Sequence, residues 1–313
     1  MKIFTAISLY SILFLCLGCE SDSEDQTPSN DQTSVSCETL EKVDLTSATT
    51  LDPNFEINLL EEVYDQFETF VREKNASGLN SIFLSTANLF ITGKETVGIR
   101  SLAFTKSQFV GNVTGNPNPY ELRISESEYR IYDGVAISLA DFDEFANNNQ
   151  ISSGVDLFFY VKTDDGWKLT STNNTYTFTG DQTDYEIEFP MSAVPQSVFS
   201  QVTTHFNSRD LNQFNSLFKP GSPLYFVSGS IDDPTSDNYN PSSLINCVSE
   251  DGRQWNLSID NIKEEIYDQY MAFIESDYSM SLDGATQFTG KAVASLIAIP
   301  SEGWKISALA FTY

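Results

Sequence analysis

The stretch Val63–Phe83, VYDQFETFVREKNASGLNSIF, returns without gaps as Val198–Phe218, VFSQVTTHFNSRDLNQFNSLF. The offset is 198 − 63 = 135 residues, and six of the 21 positions are identical: Val63, Gln66, Thr69, Asn80, Ser81 and Phe83. The same offset lays Tyr120–Asp133 on Trp255–Asp268, where Leu122, Ile124, Ile131, Tyr132 and Asp133 recur. A shift of two more residues matches Gly166-Trp167-Lys168 to Gly303-Trp304-Lys305. Solenoid units run roughly 20–50 residues, so a repeat this long predicts two globular domains in tandem.

The order of elements inside one copy follows from periodicity. Asp52-Pro53 reads as a helix start, a cap followed by proline. Leu60, Val63, Tyr64, Phe67, Phe70 and Val71 then recur at three- and four-residue steps, one face of an amphipathic helix. Leu79, Ile82 and Phe83 predict a second, shorter helix. Strands are expected at 89–92, 120–125, 131–139, 155–162 and 167–178. Val155, Leu157, Phe159 and Val161 alternate with Asp156, Phe158, Tyr160 and Lys162, giving one apolar and one mixed face. Thr163–Gly166 reads as a hairpin turn, with Asp165-Gly166 supplying positive backbone angles. Helices first and a meandering antiparallel sheet after make an α+β fold.

Two amphipathic helices followed by such a sheet, with IYDGVAIS (131–138) on one strand and DGWKL (165–169) opening the last, resemble the nuclear transport factor 2-like superfamily. The likeness is to its SnoaL-like branch. Gly93, Lys94 and Glu95 resemble the start of that branch's third helix. The second copy supplies IYDQYMAF and EGWKI, but a polar loop rich in Ser, Asp, Asn and Pro stands between Val227 and Cys247 in place of that helix. The resemblance covers nearly all of 51–313 and implies two tandem cone-shaped domains of cystatin-like fold, at 51–189 and 190–313. It also implies a pocket between helices and sheet in each. Members use that pocket for isomerisation, dehydration, cyclisation or plain binding, so fold does not settle function.

The amino terminus reads as an address. Lys2 precedes an apolar run that ends at Leu17-Gly18-Cys19 and turns abruptly polar. Its strongest part is short of the ~20 residues that span a bilayer and matches a secretory signal core. The run resembles the lipobox of bacterial lipoproteins, which implies cleavage after 1–18 and lipidation of Cys19; Cys16 stands where Leu is usual. Residues 19–50 read as an acidic tether. Glu20, Asp22, Glu24 and Asp25 resemble a signal for export to the outer face of the outer membrane, the alternative being a periplasm-facing linker. Cys37 and Cys247 are then the remaining thiols, free to pair in an oxidising envelope or to stay apart.

Composition removes several functions. The 313 residues carry 17 Lys and Arg against 44 Asp and Glu, a formal charge of −27. Phosphate backbones repel such a chain, so nucleic acid is not an expected partner. A single His excludes multi-His metal sites. Asp141, Asp143 and Glu144, and Asp232, Asp233 and Asp237, lack the alternating spacing of a calcium loop and read as solvated loops. No metal and no cofactor are expected.

The candidate pocket residues are Tyr64 and Phe67 in the first copy and Phe199 and His205 in the second. Phe199, opposite Tyr64, donates no hydrogen bond, so Tyr64 reads as a core residue. His205 lies opposite Phe70 and reads as packed in the helix's core-facing side. No catalytic set is evident. The function expected is a lipid-anchored envelope protein that binds a small molecule or a protein without chemistry. The alternatives are an isomerase or dehydratase with one working cavity, and a spacer in an envelope complex.

Overall fold

The computed structural model describes residues 53–95, 98–178, 194–227, 236–267, 269–300 and 302–313. The signal, Cys19, the tether, Cys37 and the link at 179–193 lie outside them. The chain is α+β, in two domains of matching topology.

In the first, α1 (Pro53–Glu73) and α2 (Ala76–Ile82) precede β1 (Phe83–Glu95), β2 (Gly98–Thr105), α3 (Lys106–Gly115), β3 (Tyr120–Tyr132), β4 (Val135–Ala146), β5 (Asn149–Thr163) and β6 (Gly166–Phe178). The second contains α4 (Pro195–Ser208), α5 (Leu211–Ser216), β7 (Leu224–Val227), β8 (Ser236–Tyr239), α6 (Pro241–Glu250), β9 (Trp255–Tyr267), β10 (Met271–Leu282), β11 (Ala285–Ile299) and β12 (Gly303–Thr312). The sheet orders are β2-β1-β6-β5-β4-β3 and β8-β7-β12-β11-β10-β9. Neighbours run antiparallel except β1 with β6 and β7 with β12, which are parallel.

Local chemistry builds the helical corners twice in the same way. On α1, Leu60, Tyr64, Phe67 and Val71 are buried against the sheet. Lys74 then takes a left-handed φ of 55°, and Asn75 caps α2 by accepting from the Gly78 N–H at 2.9 Å. In the second copy Arg209 has φ 56°, and Asp210 accepts from the Gln213 N–H at 3.1 Å. A short polar side chain at each cap satisfies a helix-end donor.

Four expectations are corrected. IYDGVAIS is not one strand: Asp133, at φ 52°, turns the chain between β3 and β4, with Tyr132 paired to Val135. Gly93–Glu95 ends β1 instead of opening the third helix. That helix is α3, started by Thr105 and Gln108 capping each other reciprocally. The second domain does have its third helix, α6, where a loop was expected. Asn240 caps it, Pro241 occupies the first turn, and Leu244, Ile245, Cys247 and Val248 pack inward. At the 163–166 hairpin only Gly166 has positive φ, 89°.

The two sheets pack face to face. Val135, Ile137, Leu157, Phe159 and Val161 of the first form one buried cluster with Tyr225, Val227, Met271, Phe273, Val293, Ala308 and Ala310 of the second. A buried polar seam crosses it: Asn173 Nδ2 donates to Ser307 Oγ at 2.7 Å, and Ser307 Oγ donates to the Ser295 carbonyl at 2.9 Å. At its edge Arg130 makes a two-pronged ion pair with Glu265, at 2.6 and 2.8 Å. The uniformly apolar face of β5 thus covers the other domain, while its mixed face looks into its own.

Candidate functional site

The mixed face of β5 forms the floor of a cavity of about 130 Å³ in the first domain, bounded by α1, α3 and the sheet. A cavity near ~150 Å³ holds benzene in other proteins, so there is room for about one ring. The wall is mostly apolar: Phe67, Leu89, Phe104, Phe109, Phe158, Tyr176 and Phe178 are among its residues. Two carboxyl groups interrupt it, Asp156 and Glu144.

Their environments differ. Glu144 is fully engaged: Tyr120 donates to its Oε1 at 2.5 Å and Ser152 to its Oε2. Burial still raises its pKa, against the pull of those two donors. Asp156 is 2% exposed. Its Oδ1 accepts from Asn174 Nδ2, its cross-strand partner, and its Oδ2 has no partner among the described residues. Burial pushes Asp156 up to about 8; Asn174 pulls it down and the nearby Glu144 pushes it further up. The price of hiding a carboxylate from water is what drives both shifts.

Of the residues expected in a pocket, Phe67 lines the cavity. Tyr64 is buried beside it, its ring 4.8 Å from that of Phe158 and its hydroxyl without a partner among the described residues. Burial and the neighbouring Asp156 raise its pKa well above the ordinary phenol. Phe199 is fully buried in the core of the second domain. His205 is half-buried on α4 and lies outside that buried cluster, in contrast to the packed position expected. Cys247 is disulfide-bonded, while Cys37, its expected partner, and Cys19, the lipidation residue, lie outside the described residues. Among the described residues no three His, Cys, Asp or Glu converge as metal ligands.

Asp156, Glu144 and Asn174 escaped the sequence reading. Asp141, Asp143 and Glu144 are on β4 and not in a loop. The available signal was the lone Asp inside the apolar run VDLFFYV; alternation sets it on one face with Phe158 and Tyr160 without saying which way that face looks.

Strand register identifies the counterparts in the second domain. Asp156 pairs with Ala140 and Asn174, as Ala292 pairs with Ser276 and Phe311. Glu144 pairs with Leu122 and Ser152, as Met280 pairs with Leu257 and Phe288. Together with Tyr64 and Phe199, five polar residues of one interior answer to Phe199, Met280, Phe288, Ala292 and Phe311 in the other. All five of these are buried. Phe311, in the place of Asn174, stacks on Phe226 at 5.1 Å and meets Tyr278 edge-on at 4.8 Å.

No protein-family model and no curated protein matches this chain. It is similar in structure to an NTF2-like protein of Cytophaga hutchinsonii, at 11% identity and TM-score 0.34, over 40% of this chain and 98% of that one. An NTF2-like protein of unknown function from Shewanella baltica gives 15%, 0.33, 41% and 98%. An NTF2-like protein with a cystatin-like fold from Novosphingobium aromaticivorans gives 9%, 0.35, 42% and 86%.

Proposed function

We propose that this chain is a lipid-anchored envelope protein whose first domain binds a small, mainly apolar molecule. Its second domain is a filled copy that serves as a permanent packing partner. The carrying observation is the asymmetry of the two interiors. A cavity lined by a buried carboxyl group whose Oδ2 has no partner among the described residues stands in one, and apolar side chains occupy the five matching positions in the other. A pure spacer would have no use for the difference, because buried polar groups cost stability unless something satisfies them. The lipid anchor at Cys19, the outer-membrane surface location and the Cys37–Cys247 bond rest on the sequence and complete the reading. A second reading, an isomerase or dehydratase moving a proton through Asp156, is favoured by the buried Oδ2 of this cavity-lining aspartate, which has no partner among the described residues.

The test uses the full chain in phosphatidylcholine nanodiscs with labelled methyl groups, titrated with cyclohexanol. Binding should shift Leu89, Val113 and Leu122 in the first domain and leave Leu244 and Leu257 in the second unmoved. Unmoved methyls in the first domain at saturating probe would sink the binding reading. Anchoring is tested separately: Cys19→Ser should lose palmitate incorporation and leave the membrane fraction.

A further inference from the structure

Among the described residues, the cavity of the first domain is lined by two acids and by no basic side chain. Neither Lys, Arg nor His is among its lining residues. The titratable groups that face Asp156 are Glu144 on β4, Tyr120 on β3, Tyr160 on β5 and Tyr64 on α1, none of them cationic. Glu144 accepts from two hydroxyls, the hydrogen-bond set of a carboxylate. Asp156 lines the cavity, and its Oδ2 is buried with no partner among the described residues. Around these oxygens stand seven aromatic rings, Phe104, Phe109, Tyr120 and Phe158 among them. Aromatic faces attract cations, and most strongly where water is excluded. The chain's charge of −27 concentrates cations at its surface.

We propose, building on the binding reading above, that the ligand of this cavity is a small organic ammonium ion. Its N–H groups would donate to Asp156 Oδ2 while its hydrocarbon body rests among the rings. The ammonium supplies the counter-charge that the fold omits. Asp156 must give up its proton to receive it, so binding releases a proton and strengthens as pH rises toward about 8. A carboxylate ligand would bring a third negative group into the same space and is rejected.

The test is a matched set on the full chain in phosphatidylcholine nanodiscs, read by the same cavity methyl groups: cyclohexylammonium, cyclohexanol and cyclohexanecarboxylate. Cyclohexylammonium should bind about tenfold or more tightly than cyclohexanol near pH 8.5, with the advantage shrinking toward pH 6, and the carboxylate should not bind. Asp156→Asn should bring cyclohexylammonium down to the affinity of cyclohexanol and abolish the pH dependence. If cyclohexanol binds as tightly as the amine near pH 8.5, the ammonium proposal falls and the binding reading stands. If none of the three moves the cavity methyls, both fall. The wild-type series decides by itself should the variant fail to fold.

Discussion

Asp156 keeps a carboxyl group where water does not reach, and the cost depends on pH. Its folded-state pKa lies near 8, against an ordinary value of about 4, so the folded chain holds a proton that the unfolded chain has released. Between those limits unfolding releases that proton, so raising the pH favours the unfolded chain. Stability therefore falls with rising pH, by about 1.4 kcal/mol per unit for this one group. Asp156→Asn removes the titration at nearly constant shape. The stability difference between variant and wild type, from urea midpoints between about pH 5 and pH 8, should shift in the variant's favour by close to that slope. A flat difference would mean that Asp156 is already ionised in the fold. Glu144 would blur the slope if it titrated in the same window, and its two hydroxyl donors oppose that by favouring its charged form.

Among the elements, the β5–β6 pair shows what the duplication preserved. A Cβ on Gly154 would lie 1.7 Å from the Thr175 carbonyl oxygen, and one on Gly290 would lie 1.9 Å from that of Thr312. In each sheet the next residue's N–H then donates to that threonine's hydroxyl, Val155 to Thr175 at 3.1 Å and Lys291 to Thr312 at 3.2 Å. Both glycines therefore exist to let one strand close on the other, and the obstacle is backbone, which cannot swing aside. Gly154→Ala should cost about 3 kcal/mol, at the upper end for overpacking. Because Asp156 is two residues along the same strand face, the variant should also weaken cyclohexanol binding. A Gly154→Ala chain with unchanged melting temperature would show that the strands are not held this closely. The same step explains a gap in the sequence comparison: the glycines align at an offset of 136, between the 135 of the helices and the 137 of the last strand.

At the scale of the whole molecule, the two domains share a core through their sheets. Phe159 is fully buried among residues of both. Its truncation leaves a void that two rigid sheets close poorly, so Phe159→Ala should cost about 3–5 kcal/mol. The shared core also couples the domains' unfolding. Trp167 reports on the first domain and Trp255 on the second, both buried. In single-tryptophan versions, obtained by replacing the others with Phe, the urea transitions should coincide in the wild-type background and separate once Phe159 is truncated. Transitions already separate without that truncation would show that the sheet contact does not couple the domains.

The duplication, the fold class and the two opening helices were legible in the chain itself, because helix and strand periodicities and repeated residues such as Gly166-Trp167-Lys168 are local. Asn240-Pro241 was legible in principle too, as cap and first turn, but its polar surroundings disguised a helix. What no local pattern carried was the assignment of faces. Alternation along β5 separates Val155, Leu157, Phe159 and Val161 from Asp156, Phe158 and Tyr160, yet it does not say which set looks inward. The more apolar set belongs to the contact between domains, since two sheet faces pressed together exclude water from both sides. The set with Asp156 faces its own domain, where Asp156 and Phe158 border the cavity. Glu144, Ser152 and Asn174 join it from three strands whose neighbours are set by register, a long-range property. The contrast between five polar positions in the first interior and their apolar counterparts in the second is likewise tertiary, because it depends on which side chains from distant strands share the same space.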